Sequence, residues 1–210
     1  MELIVLIYGL EKMSNIFLIG CTHFGHENMY KFLNKDGTRV RHQFADAKEG
    51  DEAMVERWNN TVSKGDKVYV LGDVAFHKRH LETVGRLNGS KILVKGNHDN
   101  LQLAEYAKYF RDVRAYHRLD DLVLSHVPVH PESLWRKNKT SHWMNIHAHL
   151  HSGAVMHLLD DSLRDHRYFS VCVERINYTP ISLEEVRMHT GMSGVRRSAQ
   201  FVFKEVEETK

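Results

Sequence analysis

The sequence predicts an α/β layered domain, and three observations lead there. Short runs rich in β-branched and aromatic residues recur along the chain. Stretches with apolar residues at helical spacing lie between them. Histidines, aspartates and asparagines cluster directly after the runs, where open α/β sheets bind their ligands.

The elements follow in order. Residues 3–10 form an apolar run with no basic stretch before it and no small-residue cleavage site after it. It is a poor signal peptide and too short to span a bilayer. Met13-Ser14-Asn15 precedes the first convincing strand, so residues 1–12 read either as an upstream extension or as part of the domain, and residues 13–210 as one domain. Strands are expected at Ile16–Ile19, Lys67–Leu71, Lys91–Val94, Leu122–Leu124, Met144–Ile146 and Tyr168–Val173. A helix over Glu52–Val62 would set Ala53, Met54, Trp58 and Val62 on one face, and His80–Leu87 and Leu101–Phe110 read the same way. Leu183–His189 starts after Ser182, with Glu185 three residues on, the pattern of a capping box. Long loops are expected at Asn34–Phe44, Val127–His142 and Thr190–Ala199, with a terminal strand at Gln200–Val206.

With 210 residues, the chain can bury roughly 70% of its unfolded surface and needs no disulfide support. Its two cysteines suit reduced thiols in a cytoplasmic protein. A net charge of +2 argues neither for nor against a nucleic-acid partner. The chain has 16 histidines. His42, His80, His117, His157, His166 and His189 read as ordinary surface or core residues, and His77 and His130 as loop residues.

The remaining histidines, apart from His142 at the end of the second long loop, fall in motifs at strand ends: Gly20-Cys21-Thr22-His23-Phe24-Gly25-His26, Leu71-Gly72-Asp73, Gly96-Asn97-His98-Asp99, Leu124-Ser125-His126 and His147-Ala148-His149-Leu150-His151. A carboxylate such as Asp73 can bridge two divalent ions, and neutral imidazoles suit zinc, iron and manganese. Two ions about 3.5–4 Å apart can hold a bridging hydroxide and clamp a phosphate. A histidine that is not a ligand can protonate the departing oxygen.

In these five motifs and their order the chain resembles the calcineurin-like metallophosphoesterases, most of all the small cap-free bacterial and phage phosphoesterases. Trp58-Asn59-Asn60, Leu87-Asn88-Gly89 and Tyr178-Thr179-Pro180-Ile181-Ser182-Leu183 add to the likeness, which spans about residues 14–187. The resemblance implies a four-layer αββα sandwich, two mixed β-sheets flanked by helices, and two divalent transition-metal ions (zinc, iron, manganese or nickel). It assigns His23 and His151 to the first ion, Asp73 to both, and Asn97, His126 and His149 to the second. His98 would be the acid or would steady the transition state, and Asp99 would orient it.

Two positions depart from the family. Ala148 stands where a glycine is usual, and Cys21 stands where an aspartate usually gives the first ligand. Three readings of Cys21 are open: a thiolate ligand favouring zinc or iron, a small buried hydrophobe beside a weak first site, or the mark of a binding-only descendant. The first is similar to the Gly-Cys-x-His motif of lariat-debranching RNA phosphodiesterases.

Residues for substrate are His26, which would either touch phosphate or cap a helix, Arg41 in the first long loop, and Trp135 with Arg136 in the second, where an aromatic beside a cation suits base stacking or a solvated loop. Trp58 and Trp143 read as core and Cys172 as packing. The expected function is hydrolysis of a phosphomonoester or phosphodiester, with a nucleotide or single-stranded nucleic acid among the candidate substrates and no membrane partner. The alternative is a catalytically degenerate module that binds a nucleotide or a protein.

Overall fold

The computed structural model describes residues 14–135 and 143–191. Two mixed β-sheets and a set of short helices make up the described chain. The first sheet holds β1 (Ile16–Ile19), β2 (Lys67–Val70), β3 (Ser90–Val94) and β4 (Asp112–Arg114), all parallel. The second holds β5 (His117–Leu119), β6 (Leu122–Leu124), β7 (Met144–His147) and, beyond the small hairpin β8 (Met156–His157) and β9 (Asp160–Arg164), β10 (Tyr168–Ser170). Strand β11 (Ile181–Ser182) returns antiparallel to β1, so the order in the first sheet is β11-β1-β2-β3-β4 and in the second β10-β7-β6-β5.

Strand alternation divides the core in two. Phe17, Ile19, Val68, Val70 and Leu93 point to one face of the first sheet and pack with Met54, Trp58 and Leu81. Leu18, Tyr69, Leu71, Ile92 and Val94 point to the other face and meet Leu122, Leu124, Met144 and Ile146 of the second sheet. Successive residues of each strand thus serve two cores, which is why the parallel strands read as continuous apolar runs rather than alternating ones.

Helix α1 spans Ala47–Thr61 and starts earlier than its apolar periodicity suggests. Its start is set by Asp46, whose side chain accepts from the Glu49 amide while the Glu49 carboxylate accepts from the Ala45 amide. The stretch expected as one helix over 80–87 splits into α2 (Lys78–Leu81) and a 3-10 turn over Glu82–Arg86, with Gly85 a poor helix former inside it. The expected helix 101–110 contracts to α3 (Leu103–Tyr106). Helix α4 (Leu183–His189) carries the anticipated capping box.

Trp58 is core, as expected, whereas Trp143 is half-buried beneath the Arg118 guanidinium, 3.8 Å from its ring centroid. The expected extension 1–12, the strand at Gln200–Val206 and Arg136 lie outside the described residues.

Candidate metal centre

All five motifs arrive at one edge of the sheets. Cys21 and His23 follow β1, Asp73 follows β2, Asn97 and His98 follow β3, His126 follows β6, and His149 and His151 follow β7. The turns that carry them leave ordinary backbone conformations. Cys21, His23, Asp73, His149 and His151 all have φ between +49° and +68°. Positive φ is costly for residues with a Cβ and concentrates where surrounding structure enforces a functional geometry.

Close approach of the strand ends makes this possible. Gly72 has φ +75°, and a Cβ there would lie 2.4 Å from the Gly96 nitrogen. The family departure at Ala148 is matched by Gly20: a Cβ on Gly20 would sit 2.5 Å from the Ala148 methyl. The bare Gly20 backbone leaves the room that the extra methyl occupies.

Two groups of side chains have the separations a metal ion requires: Cys21 with His23 and His151, and Cys21 with Asp73 and His126. Cys21 belongs to both, and the Asp73 carboxylate of the second group also reaches toward His23 of the first. Its Oδ2 is 3.2 Å from His126 Nε2 and 3.7 Å from His23 Nε2, while Oδ1 accepts from the His98 amide at 2.9 Å. Burial raises the Asp73 pKa, but the His126 ring and the His98 amide outweigh it and hold the carboxyl at about 2.

The residues present fit a cation. Both ring nitrogens of His23 are buried without a hydrogen-bond partner, and burial, followed by the charge on Arg41, pulls its pKa to about 3. It is therefore a neutral imidazole with an unused lone pair, a state that native structures rarely leave uncompensated. His126 Nδ1 sits 2.8 Å from the Leu71 carbonyl, so that nitrogen carries the proton and Nε2 offers its lone pair. Yet Nε2 faces Asn97 Oδ1 at 3.0 Å and His149 Nδ1 at 3.2 Å, besides Asp73. Several lone pairs converge with at most a proton among them.

Behind the first group lies a unit that the sequence reading missed. Arg41 is fully buried. Its guanidinium donates to the Cys21 carbonyl (2.7 Å), the Thr22 carbonyl (3.0 Å) and Glu174 Oε1 (2.9 Å). The other Glu174 oxygen is 3.2 Å from His151 Nδ1. Burial acts against the Glu174 charge, but His151 and Arg41 prevail and hold its pKa at about 2. The signal available in the sequence was a glutamate directly after the apolar Val171-Cys172-Val173.

No family model matches the chain. It is 30% identical over 179 residues to the uncharacterized protein MJ1445 of Methanocaldococcus jannaschii, covering 82% of this chain and 89% of that protein. The chain belongs to the MJ1445 family. A shorter stretch of 92 residues is 29% identical to the Gene 66 protein of Mycobacterium phage L5, covering 41% of each. The crystal structure of AQ665 from Aquifex aeolicus, titled a protein of unknown function, superposes with a TM-score of 0.60 at 23% identity, covering 83% of this chain and 98% of that one. That likeness speaks for the fold alone.

In this MJ1445-family chain the seven expected ligand residues, Cys21, His23, Asp73, Asn97, His126, His149 and His151, gather at one place. Cys21 is buried, its sulfur accepts from the His149 amide at 3.1 Å, and it stands 3.7 Å from the sulfur of Cys172. Burial foremost pushes its thiol well above the ordinary value, so ligation as a thiolate requires an ion to displace the proton. His98 is exposed at the rim, its ring centroid 6.0 Å from that of His23.

Three expectations are corrected. Asp99 does not orient the His98 ring: its carboxylate accepts from the amides of Asp73, Val74 and Gly96, tying together the two turns that carry Asp73 and Asn97. Arg41 does not face substrate, because its charge is sequestered by Glu174 and two carbonyls. His26 precedes the 3-10 turn Glu27–Tyr30 without capping it through its side chain; its ring packs on Phe76 at 4.3 Å. Trp135 is exposed at the end of the 3-10 turn Pro131–Leu134.

Proposed function

We propose that the chain is a metal-dependent phosphoric ester hydrolase of the calcineurin-like metallophosphoesterase type, with the four-layer αββα arrangement of that family. The observation that carries the reading is a pair of potential ligand groups that share Cys21, with Asp73 of one reaching toward a buried His23 of the other whose ring nitrogens have no hydrogen-bond partner among the described residues.

Cys21, His23 and His151 would hold one divalent ion, and Asn97, His126 and His149 a second, with Asp73 between them. Such ions would neutralise phosphate charge and make water a nucleophile near neutral pH. The chain's own residues do the rest. Asp99 fixes the Asp73 turn through the Asp73 and Val74 amides. Leu71 sets the His126 tautomer through its carbonyl. His98, exposed at the rim with its ring centroid 6.0 Å from that of His23, would give a proton to the leaving oxygen.

The test is metal analysis paired with hydrolysis of bis(p-nitrophenyl) phosphate after loading with zinc, iron, manganese or nickel. Metal-dependent turnover that disappears in Asp73→Ala is expected. Stoichiometric metal without turnover of any ester would leave a binding module instead.

A further inference from the structure

A cavity of about 300 Å³ opens directly beside the candidate ligands. His23, His98 and His151 line one side of it, and Met29, Phe32 and Phe76 line another. Its two phenylalanines come from separate segments. Phe32 follows the first motif, and Phe76 stands three residues after Asp73.

The aromatic rings form a continuous surface leading away from the ligands. Phe76 lies 4.6 Å from the His98 ring and 4.3 Å from the His26 ring, and it stacks over His23 at 5.8 Å with an interplanar angle of 23°. Phe32 extends the row, 6.3 Å from His26. Phe32 is 50% exposed although Met29, three residues before it, is buried in the core. A phenylalanine left open at the mouth of a cavity does nothing for the core and offers a face for stacking.

Charge narrows the occupant further. Among the described residues no lysine or arginine lines the cavity, and Arg41, nearby in sequence, is fully buried on Glu174. A nucleic-acid strand needs cations along its phosphates, and a second anionic group would meet none among the described lining residues. The walls suit a small, flat, uncharged group.

We propose that this cavity is the subsite for the organic part of the ester, and that this part is a planar aromatic group stacked between Phe32 and Phe76. The inference rests on the phosphate being held at the candidate metal centre. It relocates base or ring recognition from the Trp135 loop to the segments next to His23 and Asp73, and it makes Phe32 a specificity residue.

The test is calorimetric binding to the zinc-loaded protein, which needs no turnover. The probes are methylphosphonate, cyclohexylphosphonate, phenylphosphonate and 5′-deoxyadenosine 5′-phosphonate. Phenylphosphonate should bind at least roughly 10-fold tighter than methylphosphonate and more tightly than cyclohexylphosphonate, from ring burial with stacking. Phe32→Ala should reduce the phenyl preference to within about 2-fold while leaving zinc content and methylphosphonate affinity unchanged. Phe32→Trp should keep the preference. The nucleoside probe decides whether the ring is a nucleobase, if it exceeds phenylphosphonate, or a simple aryl group, if it does not. Equal binding of phenyl and methyl, equal binding of phenyl and cyclohexyl, or a preference that survives Phe32→Ala overturns the subsite alone. Failure of every phosphonate to bind overturns the phosphate reading and the subsite with it.

Discussion

The two halves of the candidate centre are held in different ways. Around Cys21, His23 and His151 the support comes from behind: Arg41 grips the carbonyls of Cys21 and Thr22, and Glu174 links it to His151. Around Asp73, Asn97, His126 and His149 the side chains lean on one another, and Asp99 holds the turns by their amides. The first half depends on a buried ion pair and leaves His23 without a hydrogen-bond partner among the described residues. The second is internally bonded. Loss of one side chain should therefore spread further in the first half than in the second.

Arg41→Met should have the largest effect on folding. It strands Glu174 and two carbonyls in the interior, and breaking a buried ion pair from one side costs about 3–5 kcal/mol. Urea denaturation of the metal-free protein measures it. A cost no larger than that of His149→Ala would erase the proposed difference between the halves.

Asp73→Ala should come next and strike both halves together. Its carboxylate reaches toward His23 and His126, so elemental analysis should find both ions lost. Cys21→Ser should deplete the first half more than the second, which keeps Asp73, Asn97, His126 and His149 although Cys21 also stands within reach of Asp73 and His126, while Cys21→Asp should shift preference toward manganese, since oxygen ligands suit that ion. An unchanged metal profile in Cys21→Ser would make Cys21 a packing residue. His98→Ala should keep its metal and lose turnover by roughly 10²-fold, the usual weight of an acid–base group.

Acid should separate the histidines. Burial lowers His126 and His151, but Asp73 and Glu174, respectively, more than compensate and leave both above the ordinary value. A raised pKa keeps each ring protonated to higher pH, so an ion must displace those protons and affinity should fall as the pH drops through them. His23, held at about 3, stays neutral throughout and adds nothing to this dependence. Zinc titrations between about pH 5 and 8, with proton release measured in two buffers, test this against the reference histidine value. Glu174→Gln should shrink the release from the first half and leave that of the second.

The smallest effect should come from Asp51, which accepts from the Gly25 amide in the turn after His23 and has a buried oxygen with no partner. Burial foremost raises its pKa from 3.8 to about 7. Between those values the folded protein binds more protons than the unfolded one, so this residue's contribution to stability is greatest at low pH and is lost as pH rises toward 7. Asp51→Asn should flatten that slope, seen as a gain in Tm at pH 8 that is absent at pH 4. An equal shift at both pH values would show that the carboxyl does not titrate there.

Local sequence determined strands β1, β2, β3, β6, β7 and β10, the capping box at Ser182 and the placement of the five motifs, but not the short strands β4, β5 and β11, because only the former carry a signal in residues adjacent along the chain. The turns after β1 and β7 were legible as carriers of candidate ligands for the same reason. The lengths of α1, α2 and α3 were not, since Asp46 capping and packing of short segments decide them. Neither were the hairpin strands β8 and β9, whose polar residues carry no alternating apolar signal. Only the tertiary structure could turn Arg41 from a loop cation into the anchor of Cys21 and His151, for its partner Glu174 lies 133 residues away. Only it could reassign Asp99 from the His98 ring to backbone amides and bring Phe32 beside Phe76. Chain sequence fixes which groups are available; which of them are stripped of water and left facing one another is decided by contacts between distant segments, and that desolvation sets their chemistry.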